Sequence, residues 1–183
     1  GQGPSDRRLP LRDNIPCFRD TPAGSVQFSN PAALPKRQHP MQVFRGFHHP
    51  GIAPACALTI GNFDGVHRGH QAMLALLRSE AEHRGLPSCV LTFEPHPRDH
   101  FARKAHNPNL APARIATLRD KLSELAACGI DQCVVLPFNE TLASTTPEDF
   151  VRHGLVAGLS ARYVLVGDDF RYGAKRQGDY ASL

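Results

Sequence analysis

The string GNFDGVHRGH, Gly61 to His70, gathers residue types suited to gripping an anion. Gly61 and Gly65 permit tight turns and close approach of a ligand to the backbone. His67 and His70 stand three apart, which places them on one side of a first helical turn. A helix beginning here adds unpaired N–H groups and a positive dipole end. With Gly69 between the histidines, a phosphate chain can lie against the main chain while both imidazoles donate hydrogen bonds to it. Phosphoryl and nucleotidyl transfer need such positioning and charge neutralisation more than a protein nucleophile. Two histidines at this spacing, standing alone, would read as a solvated helix end. A zinc pair would need further ligands, and neither HExxH spacing nor a third histidine at a recognisable distance supplies them.

The elements around this string must place it. From residue 55 onward, short apolar runs alternate with longer amphipathic ones, the pattern of βαβ units. The first strand is expected at Ala55 to Ile60 and a helix from about His67 to Arg84, with Met73, Leu74, Leu76 and Leu77 facing inward and Gly85 and Pro87 ending it. A second strand is expected over Ser88 to Phe93, followed by a long loop from Glu94 to Ala111 that carries three histidines. Loops of that length are disordered or functional. A helix from about Pro112 to Cys128, a strand over Gln132 to Pro137, a helix starting at Pro147 with Thr146 as N-cap, and a strand over Tyr163 to Gly167 complete the pattern. Parallel strands with crossover helices present ligands at their carboxyl ends. Gly61 to His70, Glu94 to Pro97 and Asp168 to Gly173 lie there and define the candidate site.

Composition narrows the function classes. No apolar run approaches the roughly 20 residues that span a bilayer, which argues against a membrane role. The formal charge of +4 is carried mostly by residues 1 to 40, where six Lys/Arg face three Asp/Glu. The remainder is nearly neutral and shows no basic cluster interleaved with aromatics, so nucleic acid is not the expected partner. Seven of the 16 prolines fall in the first 40 residues, which show no helical or strand period and read as disordered. Met41 follows at once, and residues 1 to 40 read as an extension upstream of a natural start; peptides from residues 1 to 35 in the native protein would contradict this. Five cysteines without a secretory leader point to reduced thiols in a cytoplasm. Cys56, Cys89 and Cys133 read as core residues, and Cys128 with Cys133 lacks a second pair for zinc.

The HxGH of His67 to His70 resembles the signature of the nucleotidylyltransferase superfamily, and GNFDGVHRGHQ, Gly61 to Gln71, resembles the bacterial FAD synthetase family, whose members join a riboflavin kinase to an FMN adenylyltransferase. TFEPHP at Thr92 to Pro97 and VGDDFRYG at Val166 to Gly173 agree with that family in the same order. The similarity runs from about Met41 to Leu183. It implies an α/β fold, a Rossmann-like parallel sheet with flanking helices of the HUP-like nucleotidylyltransferase type. The implied reaction is attack of the FMN phosphate on the α-phosphorus of ATP, giving FAD and pyrophosphate, with magnesium required. Under the resemblance His67 and His70 are catalytic, and Gly61, Phe63, Asp64, His67, Gly69 and His70 bind ATP. Phe93, Pro95, Pro97, Asp169, Phe170 and Tyr172 border the flavin. No metal ligand is assigned, Asp64 being near enough in the chain to be a candidate. His96 and His100 read as loop histidines, and Arg171, Lys175 and Arg176 as phosphate contacts or solvated charges.

Two features of the family are not found: a second phosphate-binding string with two hydroxyl residues and an arginine, and the riboflavin kinase domain. The sheet is therefore expected to be C-terminally truncated, and the chain as given weak or inactive. The competing readings are another HxGH nucleotidylyltransferase with a different acceptor, and a nucleotide- or flavin-binding fragment without turnover.

Overall fold

The computed structural model describes residues 40–111, 116–167 and 169–183. Five parallel strands form the sheet: β1 (Gln42–Arg45), β2 (Cys56–Ile60), β3 (Ser88–Glu94), β4 (Gln132–Pro137) and β5 (Ala161–Leu165), in the order β1-β4-β3-β2-β5. The chain steps outward from β2 to β3 to β4, then crosses back to place β5 on the far side of β2. The order reverses between β2 and β5, and the crevice at the carboxyl ends of those two strands is where an open α/β sheet takes its ligand.

Side chains alternate across the sheet, and both faces are covered. Leu58, Ile60, Cys89, Leu91, Val134 and Leu136 point to one face, where they meet Phe150, Leu155 and Leu159. Ala57, Val90, Cys133 and Val135 point to the other, against Leu74, Leu77, Ala81 and Leu125. This is why the strands read as unbroken apolar runs rather than alternating ones. On the second face lie α1 (Arg68–His83) and α3 (Leu118–Ala127). The first face is covered by α5 (Pro147–Asp149) and the π-helix Phe150–Gly158 that continues it, with Thr146 as N-cap as the sequence indicated. A two-stranded antiparallel pair, β6 (Arg171–Tyr172) and β7 (Gly178–Asp179), follows the sheet.

Several expectations need correcting. Leu76 is 49% exposed. The buried stripe of α1 is Leu74, Leu77 and Ala81, and Leu76 lies about 100° around the helix from Leu77. The segment after β3 is not a loop throughout: it holds α2 (Pro97–Lys104) and a 3₁₀ turn at Pro108–Leu110. The proline there opens a helix, because Pro97 occupies its first turn with His96 as N-cap. α3 begins at Leu118, with Thr117 and Asp120 forming a capping box. β5 runs two residues earlier than the pattern implied, and β1 and the short α4 (Glu140–Ser144) were not anticipated. The expectations for residues 1 to 39, including Cys17, for Pro112 as a helix start, and for Asp168 lie outside the described residues.

Candidate active site at the carboxyl edge of the sheet

The turn after β2 continues the sheet by one bond, with Gly61 N–H donating to the Leu91 carbonyl at 3.0 Å. The chain then reverses through positive φ at Phe63 (48°) and Gly65 (59°). The Phe63 ring turns into the core, where it is 1% exposed. It lies so close to Gly61 that a Cβ there would sit 3.0 Å from a ring carbon and press on the ring. The same ring packs against His70 with centroids 5.1 Å apart. Phe63 can therefore meet a nucleotide only through its backbone; its side chain supports His70.

His67 is the N-cap of α1, its Nδ1 accepting the His70 N–H at 3.3 Å. That bond leaves Nε2 as the protonated nitrogen of a neutral ring, a donor available outside the helix. The His67 and His70 rings stack at 3.7 Å with 20° between their planes. Gly69 makes this possible, since a Cβ there would fall 3.1 Å from the His67 ring. Burial, and then the neighbouring His67, hold the His70 imidazole below its usual range, with the Gly65 carbonyl acting in the opposite sense. His70 Nδ1 is buried without a hydrogen-bond partner in the protein. The Arg68 and Gly69 N–H groups, in the first turn, have no acceptor within the helix. Two imidazoles and an open helix start thus converge, as the sequence indicated, beside the crevice between β2 and β5.

The turn is held from one side by the α3 region, which sequence reasoning missed. Asp64 accepts the Ala116 N–H at 3.3 Å, and Glu124 accepts the Val66 N–H at 2.8 Å. These contacts join residues more than 50 apart, and no local pattern signals them.

The second string lies at the end of β3. Phe93 meets Phe138 edge-on at 5.9 Å, and His100 and Phe101 lie 5.6 and 5.8 Å from Phe138. Phe101 is 49% exposed. Pro95 and Pro97 are half-buried beside this aromatic group, where Pro97 starts α2. His96 lies in the connection just before α2, and His100 lies within that helix rather than in a loop. His96 caps α2, its Nδ1 accepting the Arg98 N–H at 3.1 Å, and burial leads the causes that lower its imidazole. His100 lies within α2 and reaches Glu140 of α4 at 3.4 Å, alongside a 2.6 Å ion pair between Lys104 and Glu140.

In the third string, Asp169 is exposed and Phe170 is half-buried. Phe170 stacks on Tyr172 at 5.6 Å. Tyr172 itself belongs to the core at 7% exposure, with its hydroxyl donating to the Ser182 carbonyl at 3.0 Å. Its ring backs Phe170 and leaves little surface for a ligand. Arg171 pairs with Asp179 at 3.5 Å within the β6–β7 pair, while Lys175 and Arg176 are exposed.

Among the described residues no group of three or more His, Cys, Asp or Glu side chains converges on a point where a metal could sit. Burial pushes the Cys133 thiol up to about 12 and raises Cys128, so both stay protonated as small core residues. A magnesium ion needs only one or two carboxylates when phosphates complete its shell. Asp64, the one carboxylate in the turn, fits that role. No helix among the described residues is long and apolar enough to cross a membrane.

Residues 49–183 match the FAD synthetase family model. The chain is 46% identical over 145 residues to the bifunctional riboflavin kinase/FMN adenylyltransferase of Escherichia coli (strain K12), an alignment covering 78% of this chain and 45% of the relative. The proteins of the same name from Haemophilus influenzae and Pseudomonas fluorescens are 44% and 46% identical, over 78% of this chain and 45% and 44% of theirs. The chain thus spans less than half the length of these relatives. A crystal structure titled as a macrolide-efflux protein from Streptococcus pneumoniae superposes with a TM-score of 0.62 at 22% identity, over 73% of this chain and 44% of that one, and shows a shared fold. With the family model matched over most of its length and the three strings gathered along one sheet edge, the chain belongs to the FAD synthetase family.

Proposed function

We propose that this chain carries the site for FMN adenylyl transfer: the FMN 5′-phosphate attacks the α-phosphorus of ATP, an oxygen–phosphorus bond forms, the bond to the β-phosphate breaks, and FAD and pyrophosphate result, with full turnover expected of the full-length protein. The observation that carries this reading is the stacked His67–His70 pair at the open start of α1, beside the crevice between β2 and β5. The first-turn N–H groups and His67 Nε2–H donate to the triphosphate and offset the charge that builds on the departing pyrophosphate. Neutral His70 keeps a second imidazole at the same place without requiring a buried cation. Gly61 and Gly69 allow the backbone to approach the phosphates. Magnesium, when bound, would neutralise phosphate charge, and Asp64 would be its protein ligand.

For the flavin, Phe93, Phe138 and the exposed face of Phe101 form an aromatic surface suited to a tricyclic ring. Pro95 and Pro97 stiffen its edge, and Asp169 and Phe170 close the site from the β5 side, with Tyr172 positioning Phe170. Buried free thiols at Cys56, Cys89 and Cys133 support a reducing, cytoplasmic setting.

The test is incubation of the full-length protein with FMN, ATP and magnesium, followed by chromatography for FAD, with His67→Ala and His70→Ala alongside. FAD formation that falls by about a hundredfold in each variant is the expected result. Unchanged rates in both variants would remove the roles assigned to these histidines.

A further inference from the structure

Lys121 lies in the middle of α3 and is 4% exposed. Its Nζ donates to the Thr92 hydroxyl at 3.4 Å, and that hydroxyl, fully buried, donates in turn to the Asn62 carbonyl at 3.2 Å. A single oxygen thus joins the middle of α3, the carboxyl end of β3 and the phosphate turn. One helical turn further on, Glu124 holds the Val66 N–H of the same turn. The flanks of the turn are therefore fastened to one helix.

A lysine is a costly residue for such a place. Taking an ammonium group out of water is strongly disfavoured, so a buried lysine must be held by the groups around it. The charge is felt across the site: His96, at the start of α2, is lowered by the Lys121 ammonium as well as by its own burial, while Asp64 and Asp99 act in the opposite sense.

We propose that Lys121 is a positioning residue of the transfer site, locking the Gly61–Val66 turn, and with it the N–H groups that would meet a phosphate chain, through Thr92. This rests on the nucleotide reading of the preceding subsection. It predicts a dependence on the number of phosphates that a merely structural lysine would not show.

The experiment is calorimetric titration of the full chain with ATP and separately with AMP, for the unaltered protein, Lys121→Met, Lys121→Arg and Thr92→Val, with ligand-free melting curves for each. Lys121→Met is expected to weaken ATP binding by about tenfold or more while AMP changes by less than about twofold. Lys121→Arg should recover part of the ATP affinity. Equal weakening of ATP and AMP, or no change in either, would overturn the proposal. Should Lys121→Met not fold, Thr92→Val decides: an ATP-selective loss supports the lock, and equal losses overturn it. An unaltered protein that binds neither nucleotide would defeat the nucleotide reading itself, a result distinct from any behaviour of the variants.

Discussion

At the scale of single residues, the HxGH string works through ring geometry. His67 caps α1 with one nitrogen and leaves the other outside the helix, and its ring stacks on His70 so close to Gly69 that a Cβ there would crowd it. Gly69→Ala should displace the His67 ring and lower the rate of FAD formation by about a hundredfold, the scale of loss expected when a contacting group moves by an ångström. A circular dichroism spectrum and melting point close to those of the unaltered protein would show that the helix itself survives. His70 makes a second prediction. Its imidazole is lowered from 6.5, chiefly by burial, so in the folded protein it stays neutral where an unfolded histidine already takes a proton. Its contribution to stability is then complete above pH 6.5 and is lost as the pH falls below that value through the folded one. Ring-proton NMR should give a His70 midpoint below 6.5 without ligand. A midpoint above it would contradict the burial argument. The string was legible in the sequence because its parts are neighbours in the chain. The inward turn of Phe63 and the burial of Tyr172 were not, since both depend on contacts with distant residues.

At the scale of elements, the helices were legible where an apolar stripe repeats and less so where prolines intervene. Leu74 and Leu77 set the buried face of α1, and Arg84 at its end lies 4.1 Å over the Tyr163 ring, joining the helix to β5. Leu74→Ala should therefore destabilise the protein by roughly 2–5 kcal/mol, whereas Leu76→Ala should stay within about 0.5 kcal/mol. Urea denaturation of the two variants checks this, and equal effects would contradict the assignment of faces. α2 escaped the sequence reading because its proline marks a beginning, a role distinguishable from a break only when the cap at His96 is seen. α3 was expected, yet its service to the site was hidden: Lys121 and Glu124 look like ordinary surface charges until Thr92 and Val66 are found against them.

At the scale of the molecule, the alternation of short apolar runs and amphipathic segments was enough to give parallel strands with helices on both faces. It did not give the edge strand β1, which is short, or the strand order, which no local pattern encodes. The order gives the site its location. Because β5 returns beside β2, the Asp169–Phe170 segment arrives next to the HxGH turn, and β3 brings Phe93 and its prolines to the adjoining position. Strings separated by dozens of residues thus share one edge of the sheet. The account depends on a nucleotide's phosphates resting at the open end of α1. Co-crystallisation with a non-hydrolysable ATP analogue tests that directly: phosphate oxygens should lie about 2.6–3.2 Å from the Arg68 and Gly69 N–H groups and His67 Nε2. A triphosphate found elsewhere on the molecule, with this pocket empty, would contradict it.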